Sequence, residues 1–330
     1  MTHLTYAEAI VVGLIQGVTE LFPISSLGHN VLLPALIGGS WATDLNVSTS
    51  KSYLAFIVGL HVATAIALMI YFWRDWIRII GGFVSSVRDR QVATVDQKMA
   101  WMIILATIPV GLAGLLFDHA FRVLFGKPVL AAIFLIVNGL ILFAGERMRT
   151  RASLKADEQL AAQRQEEIQL QTAGAGPRGR SAHASGQRAV RQQEATQAEQ
   201  ADTRLTGMGF PEAVIIGAAQ ILALLAGISR DGVTMVAGMF RGLSREDAAR
   251  FAFLLATPVI LAAGVLKMGD LLGPDGNGIR GQILVGSLLS GIGAYLSVRW
   301  LVRYFQTRTL TPFAVYCVLF GAASAIYLAA

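Results

Sequence analysis

Six stretches of this sequence are apolar over enough residues to cross a membrane as helices. The hydrocarbon core of a bilayer takes about 20 helical residues. The stretches that reach or approach this length are 53–73, 99–117, 128–145, 251–268, 281–298 and 310–330. Their only Asp, Glu, Lys, Arg or His residues are His61 and Lys267. We predict six transmembrane helices, and we interpret His61, alone on its apolar span, as a structural histidine.

Two further apolar stretches, around 8–38 and 211–240, are interrupted in the middle by proline, glycine, serine and charged residues. Each half holds about 10 to 15 residues, which at 1.5 Å per residue is too short for a hydrocarbon core about 30 Å thick. We therefore predict two re-entrant helical hairpins, each of which enters the membrane and returns to the same side.

The two hairpins are copies of each other. EAIVVGLIQGVTELFPISSLG (8–28), shifted by 204 positions onto EAVIIGAAQILALLAGISRDG (212–232), gives eight identities in 21 positions without a gap. Copies that enter from opposite faces form an inverted-topology repeat, in which broken helices meet near the membrane midplane and build the site. The predicted fold is an all-α polytopic membrane protein with six spans and two hairpins related in this way.

The chain divides into two repeats and an insert. The first repeat is 1–146, with its hairpin at 5–38 and three spans, and the second is 209–330, with the other hairpin and three spans. Residues 147–208 contain no aromatic residue and are rich in Gln, Ala, Arg and Glu, so they cannot bury enough apolar surface to fold alone. We predict a disordered or partly helical insert. A linker is favoured over a regulatory or nucleic-acid-binding segment because basic and acidic residues alternate in it, and no nucleic acid partner is expected.

The distribution of basic residues predicts the orientation. Of the 27 Lys and Arg residues, 21 lie in four connections that share one side of the predicted topology, namely 74–98, 147–210, 241–250 and 299–308. Cytoplasmic connections carry an excess of Lys and Arg. We predict a multi-pass protein of the cell membrane with both termini extracytoplasmic and the insert 147–208 cytoplasmic.

The composition agrees with an integral membrane protein, since 54% of residues are hydrophobic and only 15% are charged. The single cysteine, Cys317, excludes an internal disulfide and any cysteine-based zinc or redox motif. The first ten residues lack the basic start of a signal peptide, and no cleaved targeting segment is expected.

The break in the first hairpin carries candidate chemistry. Gln16 and Glu20 are four residues apart and face the same side of a helix. Ser25 and Ser26 are placed to cap the next helix, whose free N–H groups favour an anion. Glu20 is a candidate for a divalent-cation ligand or a base, and His29 is a candidate for proton transfer or for attack on phosphorus.

The break in the second hairpin offers Gln220, Ser229, Arg230, Asp231 and Thr234 around another helix start. An arginine is well shaped for bidentate phosphate binding. With the first hairpin, these residues form a set suited to phosphate. The structural alternatives are that the two glutamines join helices by hydrogen bonds, that the serines are plain caps, and that Arg230 forms a structural ion pair with Glu20 or is held by Asp231.

On these residues the chain resembles a known family. QGVTELFPISSLGH (16–29) is similar to the first signature of the undecaprenyl-diphosphatase, or bacitracin-resistance, family, and AGISRDGVT (226–234) to its second. The resemblance covers the chain apart from the insert 147–208. It implies an integral-membrane enzyme that hydrolyses undecaprenyl diphosphate to the monophosphate and phosphate, which recycles the lipid carrier for cell-wall polymers, with its reaction site toward the outer face.

The resemblance also implies roles. Glu20 becomes a metal ligand or an acid/base group, and Gln16 is the other half of that pair. Ser26 and His29 become candidates for the nucleophile and for proton transfer. Arg230 becomes the residue that binds the phosphate. The remaining phosphate-binding candidates are Ser25, Ser229 and Thr234. The implied cofactor is a divalent cation, Mg²⁺ or Ca²⁺. The expected partners are the polyprenyl diphosphate and the bilayer, and a homodimer is left open.

Two residues depart from the family pattern. Ala226 stands where the family has proline, and Asp231 where it has serine. A carboxylate beside Arg230 repels a diphosphate unless a cation bridges them, so Asp231 is either an added metal ligand or the mark of a paralogue with altered activity.

Two other classes of membrane protein share part of this pattern. A polyprenyl-phosphate transporter or flippase is the main alternative, because inverted repeats with broken helices are a transporter architecture. The other membrane phosphatase superfamily, which has a histidine after its Ser-Arg motif, is excluded because no histidine follows Arg230.

Overall fold

The described part of the chain is helical and contains no β-strand. The computed structural model describes residues 4–46, 49–125, 127–172, 201–267 and 278–330, together with 269, 273 and 276. Its helices are α1 (Tyr6–Thr19), α2 (Ser26–Ile37), α3 (Gly39–Asp44), α4 (Lys51–Tyr71), α5 (Trp73–Asp89), α6 (Val95–Phe125), α7 (Pro128–Thr172), α8 (Phe210–Ala218), a 3₁₀ helix (Ala219–Leu224), α9 (Arg230–Phe240), α10 (Arg245–Leu266), α11 (Arg280–Thr307) and α12 (Thr311–Ala329). The predicted all-α class is confirmed.

Six helical segments of the described chain are long and apolar enough to cross a membrane, and each overlaps one predicted span. They are Lys51–Tyr71, Val95–Phe117, Pro128–Arg151, Arg245–Leu266, Arg280–Thr307 and Thr311–Ala329. The chain is therefore a multi-pass membrane protein by the length and composition of its helices.

Both predicted hairpins are broken in the middle, and a serine caps the helix that follows each break. The hydroxyl of Ser25 accepts from the backbone N–H of Gly28 at 3.2 Å, and the hydroxyl of Ser229 accepts from that of Gly232 at 3.1 Å. The flanking α-helices have only 14, 12, 9 and 11 residues. At 1.5 Å per residue, none of them can cross a bilayer core on its own.

The first helix of each hairpin packs closely on a helix from the other half of the sequence. Helix α1 lies along α11, where a Cβ at Gly13 would collide with the backbone of Gly286. Helix α8 lies along α6, where a Cβ at Gly217 would collide with the backbone of Ala106. Glycine is required at these contacts because only a residue without a side chain lets the two backbones approach. The two halves are thus interleaved.

Helices α7 and α12 also make a close pair, through two contacts of the same kind. A Cβ at Gly139 would lie 2.7 Å from the Ala314 carbonyl oxygen, and a Cβ at Gly321 would lie 2.8 Å from the Ala132 carbonyl oxygen. The later position in each helix faces the earlier position in the other, so the helices run antiparallel. A shift of 182 residues converts Gly139 into Gly321 and Ala132 into Ala314, so the two contacts are copies of each other.

Two parts of the predicted insert, 147–208, are described by the structure. The first part continues α7 as a helix to Thr172, in line with a partly helical segment, and 173–200 lies outside the described residues. Residues 201–206 are helical again and packed, with Leu205 fully buried. The end of the insert is therefore in contact with the folded bundle, and the boundary at 209 stays a prediction.

Ion pairs hold this short helix against the bundle. Asp202 accepts from Arg78 at 2.6 Å and from Arg250 at 3.0 Å, while Arg204 donates to both carboxylate oxygens of Asp247 at 2.8 Å. The pairs join the end of the insert to α5 and α10. A segment of low apolar content is thus ordered by charge pairing together with one buried leucine.

Candidate active site

One carboxylate, that of Glu20, lies where the two helix breaks meet a spanning helix. Glu20 directly follows α1 and is 7% exposed. Four side chains, from α1, α2, α9 and α4 respectively, contact its oxygens. Gln16 Nε2 donates to Oε2 at 2.8 Å, Ser26 Oγ donates to Oε2 at 2.5 Å, Arg230 Nη2 donates to Oε1 at 2.8 Å, and His61 Nε2 lies 3.3 Å from Oε2. Three of the predicted catalytic residues are therefore in direct contact.

His61 also belongs to this cluster, a contact that the sequence did not predict. Its Nδ1 lies 2.8 Å from the carbonyl oxygen of Ile57. Because a carbonyl can only accept, Nδ1 carries a hydrogen, and Nε2 donates to the Glu20 carboxylate only when the ring is an imidazolium with a hydrogen on both nitrogens. The signal in the sequence was an imidazole inside an otherwise apolar span, where ionisable residues are functional by default.

His29 is held in different surroundings. Its Nδ1 donates to the Ser25 carbonyl oxygen and its Nε2 contacts the Tyr316 hydroxyl, both at 2.7 Å. The imidazole stacks on Tyr316 and Phe320 of α12, with ring centroids 5.8 and 5.3 Å away. Among the described contacts of His29, none is a hydrogen bond or ion pair with Glu20. His29 therefore lies near the start of α2, just after the break, while its ring packs in an aromatic stack.

Arg230 lies between two carboxylates. Besides its bond to Glu20, its Nε is 3.4 Å from Asp231 Oδ1. Asp231 is 1% exposed, and its Oδ2 has no hydrogen-bond partner in the described part of the chain. Burying a carboxylate oxygen without a hydrogen-bond donor costs free energy of folding. The positive charge of the neighbouring Arg230 guanidinium offsets part of this cost. Both structural alternatives for Arg230, pairing with Glu20 and with Asp231, are present at once.

The capping serines also join the two hairpins. Ser25 Oγ accepts from the backbone N–H of Gly227 at 3.2 Å, across the interface, and Ser229 Oγ lies 3.5 Å from the Phe22 carbonyl oxygen. Ser25 adopts a φ of 69°, a left-handed conformation that costs a non-glycine residue roughly 1–3 kcal/mol. The capping role predicted for both serines is confirmed, and their contact with phosphate stays a prediction.

The other predicted polar residues are engaged within the protein. Thr234 Oγ1 donates to the Arg230 carbonyl oxygen at 2.7 Å, which fixes the first turn of α9. Gln16 Oε1 accepts from Asn30 at 2.6 Å, so this glutamine joins α1 to α2 as well as contacting Glu20. Gln220 donates to the Gly217 carbonyl oxygen at 3.3 Å. Gln16 thus acts at least as a connector, whereas Gln220 bonds only locally and its Oε1 has no partner among the described residues. Phosphate binding by Thr234 stays a prediction.

Asn138 was missed by the sequence analysis. It is fully buried on α7, where its Nδ2 donates to the Pro23 carbonyl oxygen at 3.0 Å and its Oδ1 accepts from the Ser229 N–H at 2.9 Å. One side chain therefore ties both breaks to the same spanning helix. The available signal was a lone amide in the middle of the predicted span 128–145, where a polar group needs a partner.

The arrangement does not fit a divalent cation resident on Glu20. Its two oxygens already accept from three donors, one of them a guanidinium, His61 Nε2 lies beside Oε2, and Gln16 Oε1 is taken by Asn30. In the described residues, no three His, Cys, Asp or Glu side chains form a group that could hold a metal ion. The acidic oxygen left without a donor is Asp231 Oδ2.

Comparison with known proteins gives consistent matches over the whole chain. The family model described as bacitracin resistance protein BacA matches residues 9–175 and 185–323. The chain is 56% identical over 328 residues to a protein of Mycolicibacterium paratuberculosis named undecaprenyl-diphosphatase, covering 99% of this chain and 98% of that protein. It is 52% identical over 340 residues to undecaprenyl-diphosphatase 2 of Frankia alni, covering 98% and 97%.

Proposed function

This chain belongs to the bacitracin resistance protein BacA family, and we propose that it hydrolyses undecaprenyl diphosphate to undecaprenyl phosphate and inorganic phosphate. The product is the lipid carrier for cell-wall synthesis, and its regeneration would confer resistance to bacitracin. The names of the relatives support the reaction. The observation that carries it in this molecule is the contact of Glu20 with both Ser26 and Arg230, which joins a base, a hydroxyl and a phosphate-binding cation from both hairpins.

The geometry supports a division of labour among these three residues. Arg230 would bind the terminal phosphate and offset the charge that develops as the bridging P–O bond breaks. Ser26 Oγ, partly exposed and 2.5 Å from Glu20, would attack the terminal phosphorus while its proton passes to the carboxylate. Undecaprenyl phosphate leaves, and water then releases phosphate from the serine. A water molecule activated directly by Glu20 is the alternative nucleophile.

The expected divalent cation is proposed in a different place from the one implied by the family resemblance. Because Glu20 already accepts from Gln16, Ser26 and Arg230, we propose that Mg²⁺ or Ca²⁺ arrives bound to the diphosphate as part of the substrate. Asp231 Oδ2, which has no donor among the described residues, is the candidate to meet such an ion. The carboxylate would then support binding of the substrate instead of repelling it.

The first test of this function is phosphate release from undecaprenyl diphosphate by the purified protein in detergent. We expect release with Mg²⁺ or Ca²⁺ and a large loss with chelator. The variant Asp231→Ser should still release phosphate but should need a higher concentration of the cation. No release from the wild type together with release from Asp231→Ser would indicate a catalytically altered paralogue, and no release from either would contradict the proposal.

Reciprocal contacts support the inverted repeat. A Cβ at Gly28 would lie 2.9 Å from Gly227 Cα, and a Cβ at Gly232 would lie 3.3 Å from Pro23 Cβ. A shift of 204 residues relates the two contacts. It converts Gly28 into Gly232 and Pro23 into Gly227, so each contact is a copy of the other with the two partners exchanged. The antiparallel pair of α7 and α12 shows the same reciprocity. We infer a two-fold axis perpendicular to the spanning helices, and hence in the membrane plane.

This symmetry also favours a second candidate function, a polyprenyl-phosphate transporter or flippase, since broken helices in inverted repeats are a transporter architecture. Movement of a fluorescent polyprenyl phosphate across vesicles that contain the protein, without phosphate release from the diphosphate, would support the transporter over the phosphatase. Release without movement would exclude it.

Helix α5 supports the proposed position of the bilayer. Its exposed apolar side chains form one stripe: Trp73, Ile77, Ile80, Val84 and Val87. Arg74 lies over the ring of Trp73, and Arg88 and Arg90 are exposed at the other end. An apolar stripe with flanking basic residues is typical of a helix that lies in the interface of an anionic membrane surface. We infer that α5 and the basic connections are cytoplasmic and that both termini are outside.

Cysteine labelling in intact cells tests this orientation. Lys51 begins α4 and Arg90 directly follows α5, so the proposed topology places these residues on opposite sides of the membrane. Lys51→Cys should therefore react with a membrane-impermeant maleimide, whereas Arg90→Cys should react only after the membrane is opened. Both positions are exposed, and the native Cys317 is fully buried and should give little background. The reverse pattern would invert the proposed topology.

A further inference from the structure

The two imidazoles near the helix breaks differ in what they can do for the reaction. The ring of His61 on α4 faces Glu20 Oε2 at 3.3 Å, while its other nitrogen is anchored on the Ile57 carbonyl oxygen at 2.8 Å. The ring of His29 has both nitrogens occupied by Ser25 and Tyr316. Of the two, only His61 contacts a predicted catalytic side chain through its ring.

The contacts of Glu20 are divided between its two oxygens. Oε1 accepts from Arg230, whereas Oε2 accepts from Gln16 and Ser26 and faces His61. A diphosphate that enters the site must share or take over Arg230, because the guanidinium is its natural partner. Oε1 then loses its main donor, and the direction of the carboxylate depends on the donors that remain on Oε2.

We propose that His61 is a positioning residue of the reaction: it holds Glu20 Oε2 toward Ser26 when Arg230 turns to the substrate phosphate. His29 correspondingly maintains the shape of the break, through its bond to the Ser25 carbonyl oxygen at the residue with φ of 69°. This inference rests on the proposed phosphatase function and assigns to α4 a part in the site that the two signature motifs do not contain.

The anchoring of His61 suits this role. The hydrogen bond from Nδ1 to the Ile57 carbonyl oxygen, four residues earlier in α4, fixes the plane of the ring. Nε2 is therefore already in position before the substrate binds. A displacement of about 1 Å of a catalytic group can cost about 100-fold in rate. The loss of His61 should therefore appear in kcat more than in KM, because Arg230, which meets the phosphate, is not touched.

The test compares two replacements of His61 in the purified protein. His61→Leu fills the space without a donor, and we expect kcat for phosphate release to fall by about 100-fold with KM changed less than about 3-fold. His61→Gln restores an N–H toward Glu20, and kcat should recover to within about 10-fold of wild type. In the Glu20→Ala background, His61→Leu should have almost no further effect, because residues that act through one another are not additive.

Tyr53→Phe is the matched control on α4. The Tyr53 side chain is buried and its hydroxyl has no hydrogen-bond partner among the described residues, so kcat within about 5-fold of wild type is expected; a loss of about 100-fold would mean that the packing of α4, and not the imidazole, sets the rate, which overturns the inference. A fully active His61→Leu, or a well-folded His61→Gln without recovery, overturns the inference alone. A wild type that releases no phosphate overturns the proposed function and this inference together. Thermal unfolding and gel filtration in detergent establish folding of each variant.

Discussion

Replacement of Glu20 by glutamine should nearly abolish phosphate release while the protein stays folded. Glutamine has the same size and can still accept from Arg230, but it cannot take a proton from Ser26, and its amide N–H₂ opposes the donors that now meet Oε2. Loss of a general base typically costs 10²–10⁴-fold in rate, and we expect kcat to fall by about 10³-fold. Initial rates of phosphate release at saturating lipid measure this effect.

Glu8→Gln is the matched control, since Glu8 lies in the first turn of α1, the helix that Glu20 directly follows, and is also buried. Its carboxylate accepts from the Thr5 N–H and hydroxyl in a capping box, at 2.7 and 2.9 Å. Loss of this cap should cost about 1 kcal/mol of stability and leave kcat unchanged. An active Glu20→Gln variant would contradict the base assignment and leave Glu20 and Arg230 as a structural ion pair, the alternative that the sequence left open.

Much of the site could be predicted because its residues sit at interruptions of apolar segments. A carboxylate, a serine and an arginine at positions where a membrane helix stops have few reasons to be there besides a site. Glu20, Ser26 and Arg230 were found in this way, and they do lie in contact. The breaks themselves followed from segment length, since two half-segments that are each too short to cross must meet inside the protein.

The residues that were missed lie on spans, where periodicity is weak. His61 and Asn138 each stand in a segment that is apolar on all sides, so the sequence does not show which side faces the hairpins. Only the packing of α4 and α7 on the two breaks decides this. The stacking of the His29 ring on α12 could not be predicted either, because the motif that contains His29 does not show which helix packs on it; its catalytic role stays a prediction.

The packing of the end of the insert could not be predicted for a different reason. Composition measures how much apolar surface a segment can bury, and 201–208 has little. The ion pairs of Asp202 with Arg78 and Arg250 depend on residues more than 40 positions away in the sequence. Such pairing becomes visible only when the helices are in place.

Gly217→Leu should have the largest effect on stability, because the close approach of α8 and α6 has no room for a side chain. A Cβ at Gly217 would collide with the backbone of Ala106, which cannot rotate away as a side chain could. Overpacking of a core typically costs 1–3 kcal/mol and more when the backbone must move. We expect a loss of about 3 kcal/mol or more, which is a large part of the 5–15 kcal/mol typical of folded proteins.

Gly111→Leu on α6 provides the control for this prediction. Gly111 is exposed, and a Cβ there meets no heavy atom within 4 Å in the described structure, so leucine should be tolerated and should improve helix propensity by up to about 1 kcal/mol. The yield of monodisperse protein in detergent and its thermal unfolding midpoint compare the two variants. Helix α8 leads through the 3₁₀ helix to Ser229 and Arg230. If the Gly217→Leu variant is as stable as the wild type, the position of these two residues does not depend on the close packing of α8 against α6.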